Sequence, residues 1–317
     1  MAYYKPCLTL NKANMARVLS EGTRGHEIQS MTLADALART YHLEHITVPA
    51  PWRWVLPYRL AGLGQAIRSQ WTESSASSQL IISTGRQMAG VGRWLKKQHP
   101  QAQHIHILNP GFYFKDIDVV LVPEHDRHPY PGAIQFRGNL HPFNKHWFKH
   151  HAHADTNHIT KIALFIGNPG QTYFKQQFKT DLQRIRDLFK SAEIFLCGSP
   201  RLNRATQAFI RDLILPTESL WLHCQDGDNP YQKLLAKADK IFVTADSINM
   251  MNEAGASTAA VTLLARDYIQ SKKHHRFMQS IEHRLSEFEG LDKAQPLPDP
   301  VKELLDNSDL LERLELA

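Results

Sequence analysis

Short apolar segments alternate along this chain with segments in which apolar residues recur at the spacing of a helix. The runs at 80–84 and 241–243, for example, have the length of a strand and end in polar turns. Because parallel strands need a crossover connection, usually a helix, this alternation predicts βαβ units and parallel sheets. The predicted strands are residues 15–20, 46–48, 80–84, 104–108, 119–122, 162–167, 193–197, 220–222, 241–243 and 260–264, and the predicted helices include residues 27–40 and 301–316.

A break in this pattern indicates two domains. The alternation lapses between residues 139 and 160, and 317 residues exceed what one hydrophobic core commonly supports. We therefore predict an α/β fold with two Rossmann-like domains that face a cleft, residues 1–153 and 154–317, the second of which ends in the terminal helix. Ligands of doubly wound sheets bind outside the carboxyl ends of the strands, so the loops there are the candidate sites.

Composition narrows the class of protein. The chain is 42% hydrophobic and 21% charged, which is typical of a soluble globular protein. No apolar run approaches the ~20 residues of a membrane span, and the first residues lack the order of a signal peptide. Cys7, Cys197 and Cys224 have no C-x-x-C spacing, which disfavours a disulfide framework or a cysteine zinc site. These features favour the cytoplasm.

The positive charge predicts an anionic partner. The net charge is +6 and the pI is near 9.1, which suits a nucleotide, a phospholipid surface or a nucleic acid. The chain carries no signature of a nucleic-acid-binding module, so we predict no nucleic-acid partner.

The segment 244–254 combines a strand end, a polar turn and a helix start. Asp246 or Ser247 can cap the helix, whose free backbone N–H groups form an anion site. Glu253 follows Ser247 by six residues, about 9 Å along a helix axis. This distance suits a nucleotide, with phosphate at the helix end and ribose hydroxyls at the carboxylate. The alternative is an ordinary strand-to-helix joint with a serine cap.

Loops of the first half supply candidate acceptor and base residues. Gly22 and Gly25 permit a close approach of the backbone to a ligand, although the loop lacks G-x-G-x-x-G. His26 is a candidate general base, or else a capping or core histidine. Arg86 can pair with a phosphate or carboxylate, or simply be solvated.

Two further groups of polar residues follow predicted strands. Glu124 and His125 come directly after an apolar strand, where a carboxylate beside an imidazole can tune a general base; a polar surface turn is the alternative. In the second half, polar loops follow the strands at 167–171 and 198–201. Asn229 is predicted to cap a helix whose first position is Pro230.

Taken in order, six segments resemble the mitochondrial-fission "elongate mitochondria" family, whose bacterial members are described as GT-B-type glycosyltransferases. The resemblance extends from about residue 17 to residue 265. More distantly, Asp246, Ser247 and Glu253 are similar to the nucleotide-sugar site of GT-B transferases and UDP-N-acetylglucosamine 2-epimerases. The segments that carry the resemblance are residues 22–29, 84–86, 123–126, 138–141, 228–231 and 244–254.

The resemblance implies a GT-B fold in which the second domain holds a nucleoside-diphosphate sugar and the first domain holds an acceptor. It implies that Ser247 and neighbouring amides meet the pyrophosphate and that Glu253 meets the ribose. Gly25 and His26 would face the acceptor, with Glu124 or His125 as further base candidates. The donor site would also include Ser199, Arg201, Asn229, Tyr231 and Asp246, and the acceptor site Gly22 and Arg86.

Three positions depart from the family pattern. Gly167-Asn168 stands where paired glycines are common, Ser199-Pro200-Arg201 where a Ser-Arg-Arg run is common, and residues 258–260 replace Gly-Lys-Pro. The first two departures bear on phosphate contacts, and the third bears on the entry to the next strand.

The predicted chemistry needs neither a metal nor a cofactor besides the donor. Helix dipoles and arginines can neutralise a leaving diphosphate, and the second domain shows no convincing Asp-x-Asp pair. A histidine-rich stretch is the alternative metal site, but it lacks H-E-x-x-H, and we predict no metal there. Its histidines are His141, His146, His150, His151, His153 and His158.

Three functions remain open. The first is transfer of a sugar to a cell-envelope glycan or a lipid-linked saccharide. The second is a non-catalytic membrane-associated adaptor of the mitochondrial-fission type, and the third is epimerisation or hydrolysis of nucleotide sugars. Trp52, Trp54 and Tyr58 suggest peripheral contact with an anionic inner membrane; a segment with buried tryptophans is the alternative.

Overall fold

The computed structural model describes residues 12–58, 61–70, 78–126, 130–151 and 160–314. The chain divides into unit 1, residues 1–142 and 298–317, and unit 2, residues 143–297. The sequence placed the boundary at 153/154, inside a segment that lies outside the described residues. Unit 2 begins earlier, because Phe143 and Phe148 pack in its core.

The elements alternate along the chain. The strands are β1 Ala13–Ser20, β2 Ala38–His45, β3 Leu80–Thr84, β4 Gln103–Ile107, β5 Val119–Pro123 and β6 Ile134–Phe136 in unit 1, and β7 Lys161–Ile166, β8 Glu193–Gly198, β9 Ser219–Trp221, β10 Lys240–Thr244 and β11 Ala260–Leu264 in unit 2. The helices are α1 Arg24–Leu37, α2 Trp52–Val55, α3 Leu63–Ile67, α4 Arg86–Gln98, α5 Lys145–His151, α6 Gln171–Gln176, α7 Phe178–Leu188, α8 Arg204–Leu213, α9 Tyr231–Lys237, α10 Ile248–Ala256, α11 Lys272–Ser280, α12 Pro300–Leu305 and α13 Ser308–Arg313.

Unit 1 is a parallel sheet of six strands in the order β2-β1-β3-β4-β5-β6. One apolar core lies between the sheet and α1, α12 and α13, and another includes residues of α3 and α4. The strand order reverses between β1 and β3, so this is the point of the sheet where a ligand is expected.

Two elements of unit 1 differ from the sequence-based expectation. Helix α1 ends at Leu37, and strand β2 follows at once, whereas a helix to residue 40 and a strand at 46–48 were predicted. β2 is an edge strand in which half of the residues, all of them polar, are exposed, so it lacks the apolar run of a buried strand. Ile46 and Val48 are buried in the core without belonging to a strand.

The terminal helix also differs from the expectation. It is divided into α12 and α13 because Asn307 caps a new helix, its Oδ1 accepting from the backbone N–H of Leu310 at 3.2 Å. Val301, Leu304 and Leu310 pack in the core of unit 1, so the chain returns to unit 1 after unit 2.

Unit 2 is a parallel sheet of five strands in the order β11-β10-β7-β8-β9. Every residue of β10 and β11 is buried, as expected of strands covered on both faces. Apolar cores lie on both sides of the sheet. The strand order reverses between β7 and β10, where the Rossmann arrangement binds its ligands.

Within the described residues, no helix is both long enough and apolar enough to cross a membrane. The predicted α/β class with two parallel sheets is confirmed.

Candidate functional site

The turn between β10 and α10 lies at the carboxyl end of β10, at the strand reversal of unit 2. Ser247 is the N-cap of α10, and its Oγ accepts from the backbone N–H of Met250 at 3.4 Å. The predicted helix and its serine cap are therefore present. The first backbone N–H groups of such a helix point outward and favour an anion.

The carboxylate of Asp246 ties three segments together around this turn. It accepts from the backbone N–H of Asn168 at 2.7 Å, from Thr244 Oγ1 at 2.7 Å and from Arg201 Nη2 at 2.9 Å. A Cβ atom on Gly167 would lie 2.3 Å from Asp246 Oδ1, so the carboxylate occupies the space that a side chain at 167 would need. With these partners, Asp246 orders the turn and holds Arg201 beside it.

A cationic side chain and an imidazole lie at the same turn. The side chain of Arg201 is 53% exposed, and its Nε is 3.4 Å from Ser199 Oγ. His274 Nε2 is 3.0 Å from the backbone oxygen of Asp246. Because that oxygen only accepts, Nε2 carries the proton of the neutral ring. Partial burial lowers the pKa of His274; the backbone oxygen and the carboxylate of Asp246 oppose this shift, and the positive charges of Lys273 and Arg201 add to it.

Sequence reasoning missed Lys273 and His274. Their signal was the basic run at 272–276, which opens α11 after the last strand of unit 2. A basic run is usually a solvated helix face, and only the folded chain brings His274 to Asp246.

Two predicted donor residues, Tyr231 and Glu253, are in contact. Glu253 is buried, and the hydroxyl of Tyr231 donates a hydrogen bond to its Oε2. Burial and the Glu253 carboxylate raise the pKa of Tyr231 well above its ordinary value, so the phenol keeps its proton. Asn229 Oδ1 accepts from the backbone N–H of Tyr231 at 2.9 Å. Helix α9 begins at Tyr231, one residue later than predicted, so Pro230 precedes the helix.

The described residues contain no group of three or more His, Cys, Asp or Glu side chains that could hold a metal ion. The histidine cluster that was the alternative metal site forms no such group within the described residues. His146 and His150 have ring centroids 4.3 Å apart on α5, His151 stacks on Trp147, and His141 is buried in unit 1. The two remaining histidines of that cluster, His153 and His158, lie outside the described residues.

In unit 1, His26 lies at the strand reversal between β1 and β3. Its Nδ1 is 3.3 Å from Glu21 Oε1. A Cβ atom on Gly85 would lie 2.9 Å from His26 Cε1, so a glycine there lets the imidazole lie against the backbone. Gly22 has a φ of +86°, which glycine adopts without strain. Glu21, which sequence reasoning did not single out, can orient the ring.

A second carboxylate near this loop is buried. Glu27 Oε1 accepts from Ser20 Oγ at 2.7 Å and lies 3.3 Å from His45 Nδ1, and Glu27 Oε2 is 3.6 Å from Arg24 Nη1. The first turn of α1 is therefore held to the end of β1 by a charged network.

Neutral imidazoles lie under the same loops. Ser83 Oγ is 2.8 Å from both His104 Nε2 and His106 Nδ1. Burial lowers the pKa of His104 to about 4 and that of His106 well below its ordinary value. Both side chains are fully buried, so they support the sheet and stay uncharged at neutral pH.

The structure separates the other base candidates from His26. Glu124 and His125 follow β5, and two strands, β3 and β4, lie between β5 and β1. At about 4.8 Å per strand, β5 lies about 14 Å from β1 along the sheet edge. Glu124 is exposed and His125 is buried.

Arg86 and the aromatic residues of the first half complete the predicted set. Arg86 is exposed, and its Nη2 donates to the backbone oxygen of Arg53 at 3.3 Å. Trp52 packs against the core, and its Nε1 donates to the oxygen of Ala61 at 2.9 Å. Trp54 and Tyr58 are exposed. The predicted aromatic set thus divides into one packed and two exposed side chains.

Comparisons with known proteins agree with this architecture. The family model described as Mitochondrial fission ELM1 matches residues 24–303. One relative, the uncharacterized protein RP120 of Rickettsia prowazekii (strain Madrid E), is 22% identical over 246 residues, which cover 64% of this chain and 69% of the relative.

Solved structures share the fold over nearly the whole chain. The MnaA–UDP complex of S. aureus has a TM-score of 0.52 at 12% identity. The alignment covers 96% of this chain and 98% of the MnaA chain. The UDP-GlcNAc 2-epimerase of Neisseria meningitidis bound to UDP-GlcNAc has a TM-score of 0.53 at 12% identity, with 94% and 100% covered. At such identities the likeness establishes the fold, and the predicted GT-B-type class is confirmed.

Proposed function

Since this chain belongs to the mitochondrial fission ELM1 family, we propose that it is a glycosyltransferase that uses a nucleoside-diphosphate sugar and needs no bound metal. The observation that carries the proposal is the turn between β10 and α10. There, a capped helix N-terminus at a strand reversal lies beside Arg201 and His274. The proposed acceptor is a cell-envelope saccharide or a lipid-linked one.

The donor diphosphate is proposed to bind at the first turn of α10. The backbone N–H groups and Ser247 would contact its oxygens, and Arg201 would pair with its charge. As the bond from the sugar to the diphosphate breaks, negative charge grows on the departing oxygen. The positive helix end and Arg201 stabilise that charge, which is the task a metal performs in other transferases.

The nucleoside is proposed to reach Glu253 in α10. A carboxylate accepts from ribose hydroxyls, and Glu253 is the residue at the right distance from Ser247 along the helix. Tyr231 holds Glu253 in place through its hydroxyl. The S. aureus and N. meningitidis proteins of the same fold are complexes with UDP and UDP-GlcNAc, so uridine compounds are the first donors to test.

The proposed base is His26. In the transfer, an acceptor hydroxyl attacks the anomeric carbon of the sugar while the bond to the diphosphate oxygen breaks, and His26 takes the hydroxyl proton. The nearby carboxylate of Glu21 would stabilise the imidazolium that forms. The products are the glycosylated acceptor and the nucleoside diphosphate, and the proton leaves His26 to solvent.

A thermal-shift screen tests the proposal. UDP, UDP-GlcNAc, GDP, ADP and CMP are each added to the wild type, to Glu253→Gln and to the control Glu282→Gln, whose carboxylate pairs with Arg266 on the surface. At a ligand concentration of 100 Kd, binding adds about 2.7 kcal/mol of stability. We expect one nucleotide to stabilise the wild type and the control, and to act weakly on Glu253→Gln.

Product analysis then separates the enzyme classes. Transfer to an acceptor supports the proposal. Release of free sugar with any acceptor offered makes the protein a hydrolase, and an altered donor sugar makes it an epimerase. The absence of a response to every nucleotide contradicts the proposal and favours a non-catalytic adaptor.

A further inference from the structure

Among the described residues of unit 1, four aromatic side chains are exposed to solvent. Their exposed fractions are 64% for Trp54, 44% for Tyr58, 55% for Phe112 and 59% for Tyr113. Proteins that work free in water seldom expose contiguous apolar surface, so such a set marks an interaction site. We call these four side chains the aromatic patch.

The aromatic patch is built from two segments that are distant in the sequence. The ring centroids of Tyr58 and Phe112 are 5.0 Å apart, and Tyr58 lies 6.1 Å from the buried ring of Phe114. Tyr113 lies 5.8 Å from Tyr130. Tyr58 and Phe112 are therefore in contact across the two segments, and Trp54 and Tyr113 lie within four residues of them in the sequence.

Arg93 of α4 holds the two segments in place. Its Nη1 donates to the backbone oxygen of Pro57 at 2.5 Å, and its Nε donates to Asp116 Oδ1 at 2.6 Å. Its guanidinium also lies 3.7 Å from the ring centre of Phe114. Because this nearly buried cation anchors both segments, the exposed rings are presented outward from a fixed base.

The charge around the aromatic patch is positive. Residues 51–58 and 109–115 contain no Asp or Glu, whereas Arg53 and Lys115 are exposed within them. The guanidinium of Arg53 lies 5.4 Å from the ring centre of Trp54. Asp116, the acid next in sequence, is paired with Arg93. An anionic partner is therefore the complement of this surface.

We propose that the aromatic patch, with Arg53 and Lys115, docks unit 1 on an anionic phospholipid bilayer. Trp and Tyr rings settle at the level of the lipid headgroups, where one end of the ring is apolar and the other is wet. Arg and Lys at the same level are attracted to anionic lipids. The aromatic patch differs from the set predicted from the sequence, because it excludes Trp52, which packs against the core, and includes Phe112 and Tyr113. The aromatic patch belongs to unit 1, whereas the proposed nucleotide site belongs to unit 2.

Flotation of the full chain with lipid vesicles tests this proposal. Vesicles of phosphatidylcholine alone are compared with vesicles that also contain phosphatidylglycerol, at low and high salt. We expect binding to the anionic vesicles that weakens with salt, since exposed charges separated by more than about 10 Å are screened at 0.1 M ionic strength. Trp54→Ser and Phe112→Ser should each weaken it about tenfold, the effect of about 1.4 kcal/mol of lost contact. Arg53→Gln and Lys115→Gln should weaken binding to anionic vesicles only.

Leu215→Ser is the matched control, because Leu215 is 45% exposed in unit 2. It should bind vesicles like the wild type. All substituted side chains are exposed, so thermal melting should show unchanged folding. Equal binding by Trp54→Ser and the wild type, or no binding by the wild type, overturns the proposal. Self-association of the wild type that Trp54→Ser abolishes, without vesicle binding, assigns the surface to a protein contact and overturns it too. The change in melting temperature on addition of UDP, measured on the same samples, tests the nucleotide site separately.

Discussion

The hydroxyl of Tyr231 donates a hydrogen bond to Oε2 of Glu253; the Glu253 side chain is buried and the Tyr231 side chain is partly buried. Tyr231 begins α9 and Glu253 lies in α10, so this bond joins two helices of unit 2. If the Glu253 carboxylate accepts hydrogen bonds from ribose hydroxyls, as we propose, then the hydrogen bond from Tyr231 fixes the position of that carboxylate.

Tyr231→Phe should destabilise the protein and weaken nucleotide binding. The change removes the hydroxyl that donates to the buried Glu253 carboxylate, and the loss of this hydrogen bond should lower the free energy of unfolding by about 1–3 kcal/mol. Denaturant unfolding and thermal shifts measure the two effects. Tyr113→Phe, at an exposed ring, is the control and should change neither. A Tyr231→Phe protein as stable as the wild type would show that the bond contributes nothing.

Gly167→Ala should disrupt the turn that holds Asp246. The new Cβ would lie 2.3 and 2.4 Å from the two carboxylate oxygens of Asp246. The carboxylate would therefore have to move and lose its hydrogen bonds with Asn168 and Thr244. We expect a loss of about 2 kcal/mol or more in unfolding free energy and no response to nucleotides. Gly290→Ala is the control, because its nearest atoms would be 3.6 Å away. A Gly167→Ala protein that still binds nucleotide would separate this turn from the ligand.

Arg201→Gln should reduce binding of UDP far more than binding of uridine. A charge-assisted hydrogen bond to the diphosphate contributes about 1.5–3 kcal/mol, so the affinity for UDP should fall about tenfold or more while that for uridine stays unchanged. Isothermal titration measures both. Arg184→Gln is the control, since that side chain pairs with Glu289 on the surface. An equal loss for both ligands would contradict a phosphate contact.

Arg284→Lys should destabilise unit 2. Arg284 is fully buried and donates to the backbone oxygens of Gly255, Ser257 and Ala259 at 2.7–2.8 Å. Burial lowers its pKa to about 10, still above neutral pH, so the cation persists. Lysine lacks the planar fork that meets these carbonyls, and we expect a loss of about 2–4 kcal/mol in denaturant unfolding.

Arg266→Lys is the control for this prediction. Arg266 forms an exposed pair with Glu282, so its replacement should change the unfolding free energy by less than about 0.5 kcal/mol. Equal effects of Arg284→Lys and Arg266→Lys would show that the buried guanidinium is dispensable.

Two buried histidines should make unit 1 sensitive to acid. Burial lowers the pKa of His104 and His141 from 6.5 to about 4. As the pH falls through this window the unfolded chain takes up protons before the folded chain does. Stability is therefore full above pH 6.5 and declines toward pH 4, by at most about 1.4 kcal/mol per pH unit per histidine.

Denaturant unfolding between pH 7 and about 4 measures this slope. His141→Gln should make it shallower, and His42→Gln, at an exposed position of β2, should leave it as it is. An identical slope in His141→Gln and the wild type would remove His141 as a cause.

Local sequence was enough to predict most of the sheet of unit 2. The five strands of this sheet coincide with the predicted apolar runs to within one or two residues at either end. A strand that is covered on both faces of a parallel sheet needs consecutive apolar residues, so its burial can be predicted from the local sequence. The serine cap of α10 was predicted for a similar reason, since a cap acts within one helical turn.

Elements whose burial depends on distant partners were not predicted. Edge strand β2 is mostly polar and exists because it pairs with β1. The terminal leucines read as a helix, but their spacing carries no information about which sheet they cover, and they pack in unit 1. Trp52 and Trp54 have the same local context, yet only Trp52 is packed against the core.

The same division holds for the candidate site. The sequence by itself determined that a strand, a serine cap and a carboxylate follow one another at residues 244–254. Only the tertiary structure decided that Gly167 leaves space for the Asp246 carboxylate, that His274 contacts the backbone of Asp246, and that Tyr231 donates a hydrogen bond to Glu253. These contacts join residues 22 to 79 positions apart, and local propensity does not act over such distances. They form because packing the strands side by side brings together the loops and helices that follow the strands.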